Sequence, residues 1–437
     1  MNATAARPLG LWSATSLVVG NMIGSGVFLL PASLAPYGAA SLLGWIVSTL
    51  GALLLALAFA NLGRRYPLCG GPYVYARLAF GDFAGFVMAW SYWISTWCAV
   101  AAIAVAFAGS IGTLLPGILD SPAHSAVCAL AVLWLCTACN LAGVRAAGIA
   151  QLVTTVLKLL PLVAIIVFGF GAVNAHALQP FNPSGQGLLD VTTTTAALAL
   201  WALLGFECAT IPAEHVADAE RTIPRATMIG VAVAAIVTVA ACTLVQALVP
   251  IDALKDSSAP FADAARHLWG NAGAATMAAA MAVSCLGALN GWILIQGQIP
   301  FAAARDGLFP AIFAQVDKSQ TPQVSIVIGS VLATGLVGAN YNGSLVTVFT
   351  ASILLATAAA LLPYLFTAAA LWHLEPQAPD QAAWRKPVAL LGLLYSVWAL
   401  IGTGAQALLW GAGLLVAGVP VYALMRYRRT PGAKASR

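Results

Sequence analysis

Two ionisable side chains stand inside long apolar runs: Glu207 in "LWALLGFECATIPAEH" and Lys158 in "TTVLKLLPLVAIIVFG". A carboxyl group deprived of water can hold or release a proton, or pair with a cationic ligand when ionised. The other reading of Glu207 is a protonated carboxyl capped by a backbone carbonyl. Lys158 also has two readings. It snorkels along its four-carbon stem to an interface, or its ammonium is buried against backbone carbonyls in the place of a bound cation. A third stretch, "GNMIGSGVFLLP", sets Gly20, Gly24 and Gly26 around Asn21 and Ser25. Glycine reaches the dihedral angles of a helix break without steric cost. Amides released at Ser25 and Gly26 would then form an anion site at the N-terminus of the half-helix that follows, suited to a substrate carboxylate. Gly20 and Gly24 also spell GxxxG, a close-packing motif of membrane helices, which is the competing reading.

The elements that must position these groups are membrane spans. Of 437 residues, 61% are hydrophobic and only 8% charged, and the mean hydropathy is +0.91, which excludes an ordinary water-soluble domain. Apolar stretches of membrane-crossing length recur almost to the C-terminus. Twelve spans are expected, near 9–32, 38–62, 83–111, 125–143, 149–172, 191–211, 226–249, 272–299, 323–340, 345–372, 387–405 and 407–425. The loops leave no room for a soluble domain. The first span is too long, and too poor in preceding positive charge, to read as a cleaved signal peptide.

Lys and Arg sort by side. With the N-terminus inside, Arg7, Arg64, Arg65, Arg77, Arg145, Arg221, Arg225, Arg305, Lys318, Arg385, Lys386 and the tail residues Arg426, Arg428, Arg429, Lys434 and Arg437 are cytoplasmic, whereas only Lys255 and Arg266 fall outside. Positive charge stays on the cytoplasmic side, so both termini are expected there, in a cell (inner) membrane. The tail reads as a stop-transfer anchor, with contact to anionic lipid as the alternative. No basic face for nucleic acid exists apart from these flanks. The eight cysteines lie in or beside apolar spans and suggest no disulfide framework. The CxxC of Cys136 and Cys139 has no second pair or histidine nearby and reads as packing. No metal site or cofactor motif is read.

Set beside the first span, the sixth gives the arrangement its logic. Both are apolar helices interrupted by small and polar residues, "GNMIGSG" in one and "LLGFECA", containing Gly205, in the other. Each opens a five-span set. Because five is odd, the sets insert with opposite orientation, as in inverted-repeat transporters whose discontinuous helices meet near the midplane. Unwound backbone is tolerated at that depth only where it faces protein or a cavity. Carbonyls freed at the second break suit an ammonium, so the pair of breaks suits an α-amino acid. Membrane aromatics usually form an interfacial belt; Tyr92, Trp93 and Trp97, then Trp201, Trp292 and Tyr364, lie deeper, and gates or cavity walls are their second reading.

These residues resemble the amino acid/polyamine/organocation (APC) transporters, and within them the basic amino acid/polyamine antiporters. The likeness is carried by "GNMIGSGVFLLPASLA", "GGPYVYARLAFG", "LWALLGFE", "ERTIPRATMIGV", "APFADAARHLWG", "SCLGALNGW" and "AAARDGLFPAIFA". It implies an all-α integral membrane protein of twelve transmembrane helices in a 5+5 inverted-repeat (LeuT-like) fold with broken first and sixth helices. Residues 9–172 form the first repeat, 191–372 the second, 387–425 two additional helices, and 426–437 a basic tail. It also implies exchange of an amino acid and its amine by alternating access, often as a homodimer. Ser25 and Gly26, with Asn21, Ile23 and Gly24 beside them, receive the α-carboxylate. Trp201 and Gly205 lie near the α-amino group, and Ser95, Thr96 and Trp292 line the substrate. Tyr92, Glu207 and Tyr364 form an inner gate with a proton-sensitive carboxylate. Two departures stand out. Ser95, Thr96, Val100, Ile103 and Ala356 differ from the guanidinium-binding residues of the arginine/agmatine exchangers, and those exchangers have a small apolar residue where this chain has Lys158, which makes sodium dependence unexpected. The alternative mechanism is proton-coupled symport of neutral or broad-range amino acids through Lys158 or Glu207. A channel would show rings of like charge along several spans, and an enzyme a cluster of His, Asp, Glu or Cys at membrane depth; neither is found.

Overall fold

The computed structural model describes residues 9–24, 26–68, 70–141, 145–173, 180–211, 213, 216–317, 321–339, 344–374 and 383–429. Arg7, Ser25, Cys69, Lys318, Lys434 and Arg437 therefore lie outside the described residues. Among the described residues every element is helical, apart from one isolated backbone pairing of Leu9 with Val216. Nine helical runs among the described residues are long and apolar enough to cross a membrane, and two shorter apolar helices accompany them.

In chain order the helices are α1 (Leu11–Met22), α2 (Gly26–Leu34), α3 (Ser41–Arg65), α4 (Pro72–Phe80), α5 (Asp82–Leu114), α6 (Pro122–Leu141) and α7 (Arg145–Gly169). There follow α8 (Leu188–Trp201), α9 (Ala219–Leu248), α10 (Ile251–Leu254), α11 (Pro260–Arg305), α12 (Gln323–Ala339), α13 (Leu345–Leu374), α14 (Arg385–Gly402) and α15 (Ala405–Arg429). The expected interruptions are present: 9–32 occurs as α1 and α2, and 191–211 as α8 and a 3-10 turn, Phe206–Ala209. Two boundaries differ from expectation. α11 starts at Pro260 rather than near 272, because a polar first segment precedes a kink at Gly270 (φ 70°, ψ −163°). α9 starts at Ala219 rather than near 226; its polar first two turns carry no apolar signal, and Pro224 is accommodated within them.

α5 is the axis of the bundle. In its most apolar window 89% of residues are buried, against 11% in α15, so α5 is enclosed by protein while α15 faces the surroundings. Alanines at 99, 101, 102, 104, 106 and 108 let α11 and α13 close on it, as small residues do between membrane helices. Ion pairs mark one end of the bundle. Arg77 meets Asp82 at 2.7 Å and Asp306 at 3.1 Å, and Arg65 donates to the Leu374 carbonyl at 3.0 Å. α5 thus starts at the end where α3, α11 and α13 finish, and its other end lies with Ala259 and Ala262.

α3 is gripped from two sides. Ser48 Oγ donates to the Ala196 carbonyl at 2.5 Å and pairs with the Tyr395 hydroxyl at 3.1 Å, and the Tyr395 ring lies directly on Gly51, where a Cβ would overlap it. Gly51→Leu is therefore expected to overpack the α3–α14 contact and cost about 1–3 kcal/mol. A lowered thermal unfolding midpoint in detergent checks this, and an unchanged midpoint would contradict it.

Candidate substrate site at the paired helix breaks

α1 stops at Met22 because Ile23 leaves the helical region (φ −82°, ψ 75°). The Gly24 amide turns back to the Met22 carbonyl at 3.0 Å, and the helix resumes at Gly26. α8 stops at Trp201. The Leu203 amide bonds the Leu200 carbonyl at 2.8 Å and Leu204 bonds Trp201 at 3.3 Å. Gly205 then takes φ +110°, a conformation that side-chain-bearing residues rarely adopt.

The two breaks touch. A Cβ on Gly205 would stand 3.1 Å from both the Asn21 carbonyl carbon and the Met22 nitrogen. Beside this contact the Asn21 amide, 4% exposed, has among the described residues no partner for Oδ1 or Nδ2 apart from the weak Cys208 thiol. The Trp201 indole N–H is also buried without a partner among the described residues. An unpaired polar atom is costly in a buried place, so these groups are open to a ligand.

Glu207 has no exposed surface. Its Oε1 accepts from the Tyr92 hydroxyl of α5 at 2.5 Å. Its Oε2 accepts from the Tyr364 hydroxyl of α13 at 2.6 Å and from the Gly205 amide at 3.1 Å. One carboxylate thus ties two long helices to the break. Phe59, Phe206 and Tyr364 pack beneath it, with ring centroids 5.6 Å (Phe59–Phe206), 5.3 Å (Phe59–Tyr364) and 4.9 Å (Phe206–Tyr364) apart.

The remaining expected residues divide. Ile23, Ser95, Thr96, Val100, Ile103, Trp292 and Ala356 are all buried. Thr96 spends its hydroxyl on the Trp93 carbonyl at 2.7 Å. Ala288, one turn before Trp292 on α11, would be 3.4 Å from a Cβ on Gly24, so this face of α11 meets the first break. For Trp93 and Trp97 the described contacts are with other aromatics and with a second crevice. Trp93 packs against Trp90, Phe309 and Phe313, and Trp97 lines a separate crevice of about 580 Å³ with Leu336, Leu355 and Trp410. Lys158 does not snorkel: it is fully buried, and Nζ donates to the Gly20 carbonyl at 3.0 Å, one residue before Asn21. Phe59 escaped the sequence reading because one apolar side chain in an apolar span carries no signal. Asn140 and Gln296 carry no charge, and a neutral amide in a membrane helix is too ordinary to stand out in sequence.

Among the described residues the buried charged side chains are Lys158, Glu207 and Arg385. Two of the three converge on the helix breaks inside a bundle of apolar helices, the form of a membrane permease rather than an enzyme. The chain belongs to the amino acid permease family, whose match runs over residues 9–425. It is 31% identical to the putrescine transporter PotE of Escherichia coli K12 over 98% of both chains. It is 32% identical to a putative arginine/ornithine antiporter of Bacillus subtilis, over 94% of this chain and 96% of that one. To the cadaverine/lysine antiporter of Escherichia coli K12 it is 32% identical, over 76% of this chain and 75% of the relative.

Tyr364→Phe removes one of two donors from Oε2 and is expected to cost about 1.5–3 kcal/mol, the range for hydrogen bonds to charged groups. Gly205→Ala is expected to cost about 1–3 kcal/mol through its backbone conformation. Both are read as falls in thermal midpoint; if neither variant melts lower, the carboxylate cluster does not hold the breaks together.

Proposed function

We propose that the protein is an antiporter that exchanges an amino acid for an amine, such as its decarboxylated product, by alternating access. The observation that carries this reading is the contact between the two helix breaks, with Glu207 bonded across it to α5 and α13. The substrate carboxylate is held at the first break by amides near Ser25 and Gly26, with Asn21, Ile23 and Gly24 around it. Carbonyls released between Trp201 and Gly205 hold the α-ammonium, and Trp201, Trp292, Ser95 and Thr96 wall the rest. In this reading the chain crosses the membrane twelve times, with inverted repeats over 9–172 and 191–372, both termini cytoplasmic, and pairs as a homodimer. Names of the relatives support amines and cationic amino acids as the substrate class. Val100, Ile103 and Ala356 offer no side-chain hydrogen-bond acceptor, which leaves the five N–H donors of a guanidinium worse served than the three of an ammonium and favours ornithine, lysine and their diamines over arginine.

Glu207 supplies the gate. An ionised carboxylate only accepts and so keeps all three donors, whereas protonation turns one oxygen into a donor. The tyrosine facing that oxygen then accepts instead of donating, and its bond loses the strength that a charged carboxylate gave it, which loosens α8 from α5 or α13. Lys158, bonded to Gly20, holds the first break from the other side.

Proteoliposomes test the exchange. Ornithine or putrescine inside is expected to accelerate uptake of labelled putrescine at least about tenfold, equivalent to 1.4 kcal/mol. Uptake driven by an inward proton gradient into empty vesicles, without that acceleration, would instead make the protein a proton-coupled symporter using Lys158 or Glu207. In a competition panel, ornithine and putrescine are expected to outcompete arginine and agmatine. Ser25→Lys is expected to abolish amino acid binding by blocking the loop amides; unchanged affinity would place the carboxylate elsewhere.

A further inference from the structure

Trp292 is flanked on α11 by two neutral polar residues that join the helix to α6 and α12. Asn140 of α6, 3% exposed, shares its Nδ2 protons among the Asn290 Oδ1 at 2.8 Å, the Asn290 carbonyl at 3.2 Å and the Cys136 carbonyl of its own helix at 2.9 Å. One turn beyond Trp292, the fully buried Gln296 donates through Nε2 to Ser330 Oγ of α12 at 3.0 Å and to the Ile326 carbonyl at 3.4 Å. Ser330 closes the seam to α6 through a 2.8 Å bond with Thr137. α12 approaches closely enough that a Cβ on Gly329 would fall 2.8 Å from Gln296 Cδ.

Apolar helices in lipid gain little direction from packing alone, since their side chains and lipid tails are alike in polarity; interhelical hydrogen bonds fix what packing leaves free. At 3.6 residues per turn, Asn290 lies roughly 160° round α11 from Trp292, and Gln296 roughly 40°. The two attachments therefore grip α11 at two heights and on two sides. Together they set its rotation, and with it the aim of Trp292 and the seat of Ala288 against Gly24.

We propose that Asn140 and Gln296 are positioning residues for Trp292, fixing the indole orientation that sets substrate affinity without touching substrate. This rests on the reading of Trp292 as a wall of the substrate site. The test is a double-mutant cycle in proteoliposomes with putrescine as the probe, using Asn140→Leu, Trp292→Leu and the pair. Asn140→Leu is expected to raise KM about tenfold with the saturated exchange rate within about twofold. Asn140→Gln, which keeps the amide, is expected to recover most of that loss. Adding Asn140→Leu to Trp292→Leu should raise KM no further. A KM rise that multiplies in the pair, or a lower exchange rate at unchanged KM, would mean Asn140 acts only on general packing and overturns the inference. A Trp292→Leu effect with no Asn140→Leu effect overturns this inference alone, whereas no effect of Trp292→Leu overturns the site reading beneath it. Should Asn140→Leu fail to yield folded protein, Gln296→Met takes its place in the same cycle.

Discussion

Glu207 accepts hydrogen bonds from two tyrosines on two helices and from the amide of Gly205. With no exposed surface, it depends on such donors in place of water. A buried carboxylate left short of donors is costly, so the positions of α5, α13 and the α8 break are not independent. The same constraint governs the backbone. Helix breaks expose amides and carbonyls that hydrocarbon cannot satisfy, and here each break is set against the other rather than against lipid. Gly205 makes this possible twice over, by its left-handed conformation and by the absence of a Cβ where Asn21 and Met22 approach.

Much of this was legible in the sequence because it rests on residue types that stand out in an apolar background. Glycines inside a span, one carboxylate and one lysine are loud signals, and the breaks at Ile23–Gly24 and after Trp201 fall where they point. Lys158 was ambiguous from sequence, since its stem is long enough to reach an interface; only the position of the Gly20 carbonyl resolves it. Trp93 and Trp97 stand out in the sequence by depth alone. Depth does not fix direction: at about 100° per residue, neighbours on one helix face different partners. The polar seam through Asn140, Gln296 and Ser330 was silent for another reason. Neutral amides and hydroxyls are ordinary in membrane helices, and what distinguishes these is their pairing across three helices, which needs coordinates.

Small residues do the work that apolar burial does in a soluble core. Hydrocarbon is no less apolar than leucine, so close backbone approach and hydrogen bonding decide which helices meet. α3 lies on α8 and α14 through Ser48 and Gly51, and α11 lies on α12 through Gly329. The large apolar side chains Leu390, Leu394, Ile401, Leu409 and Trp410 of the last two helices are exposed. The gradient from enclosed to exposed helices runs outward from α5.

α5 carries Tyr92 and Trp93 as consecutive residues of one unbroken helix. The first holds the Glu207 carboxylate, and the second packs its indole against Phe309 and Phe313, in the segment that follows α11. A rigid shaft with two such arms behaves as a crank. Any turn large enough to free Tyr92 from the carboxylate also drags Trp93 across the Phe309 and Phe313 rings. The carboxylate cluster and the Phe309–Phe313 segment are thereby joined through two consecutive residues of a single helix.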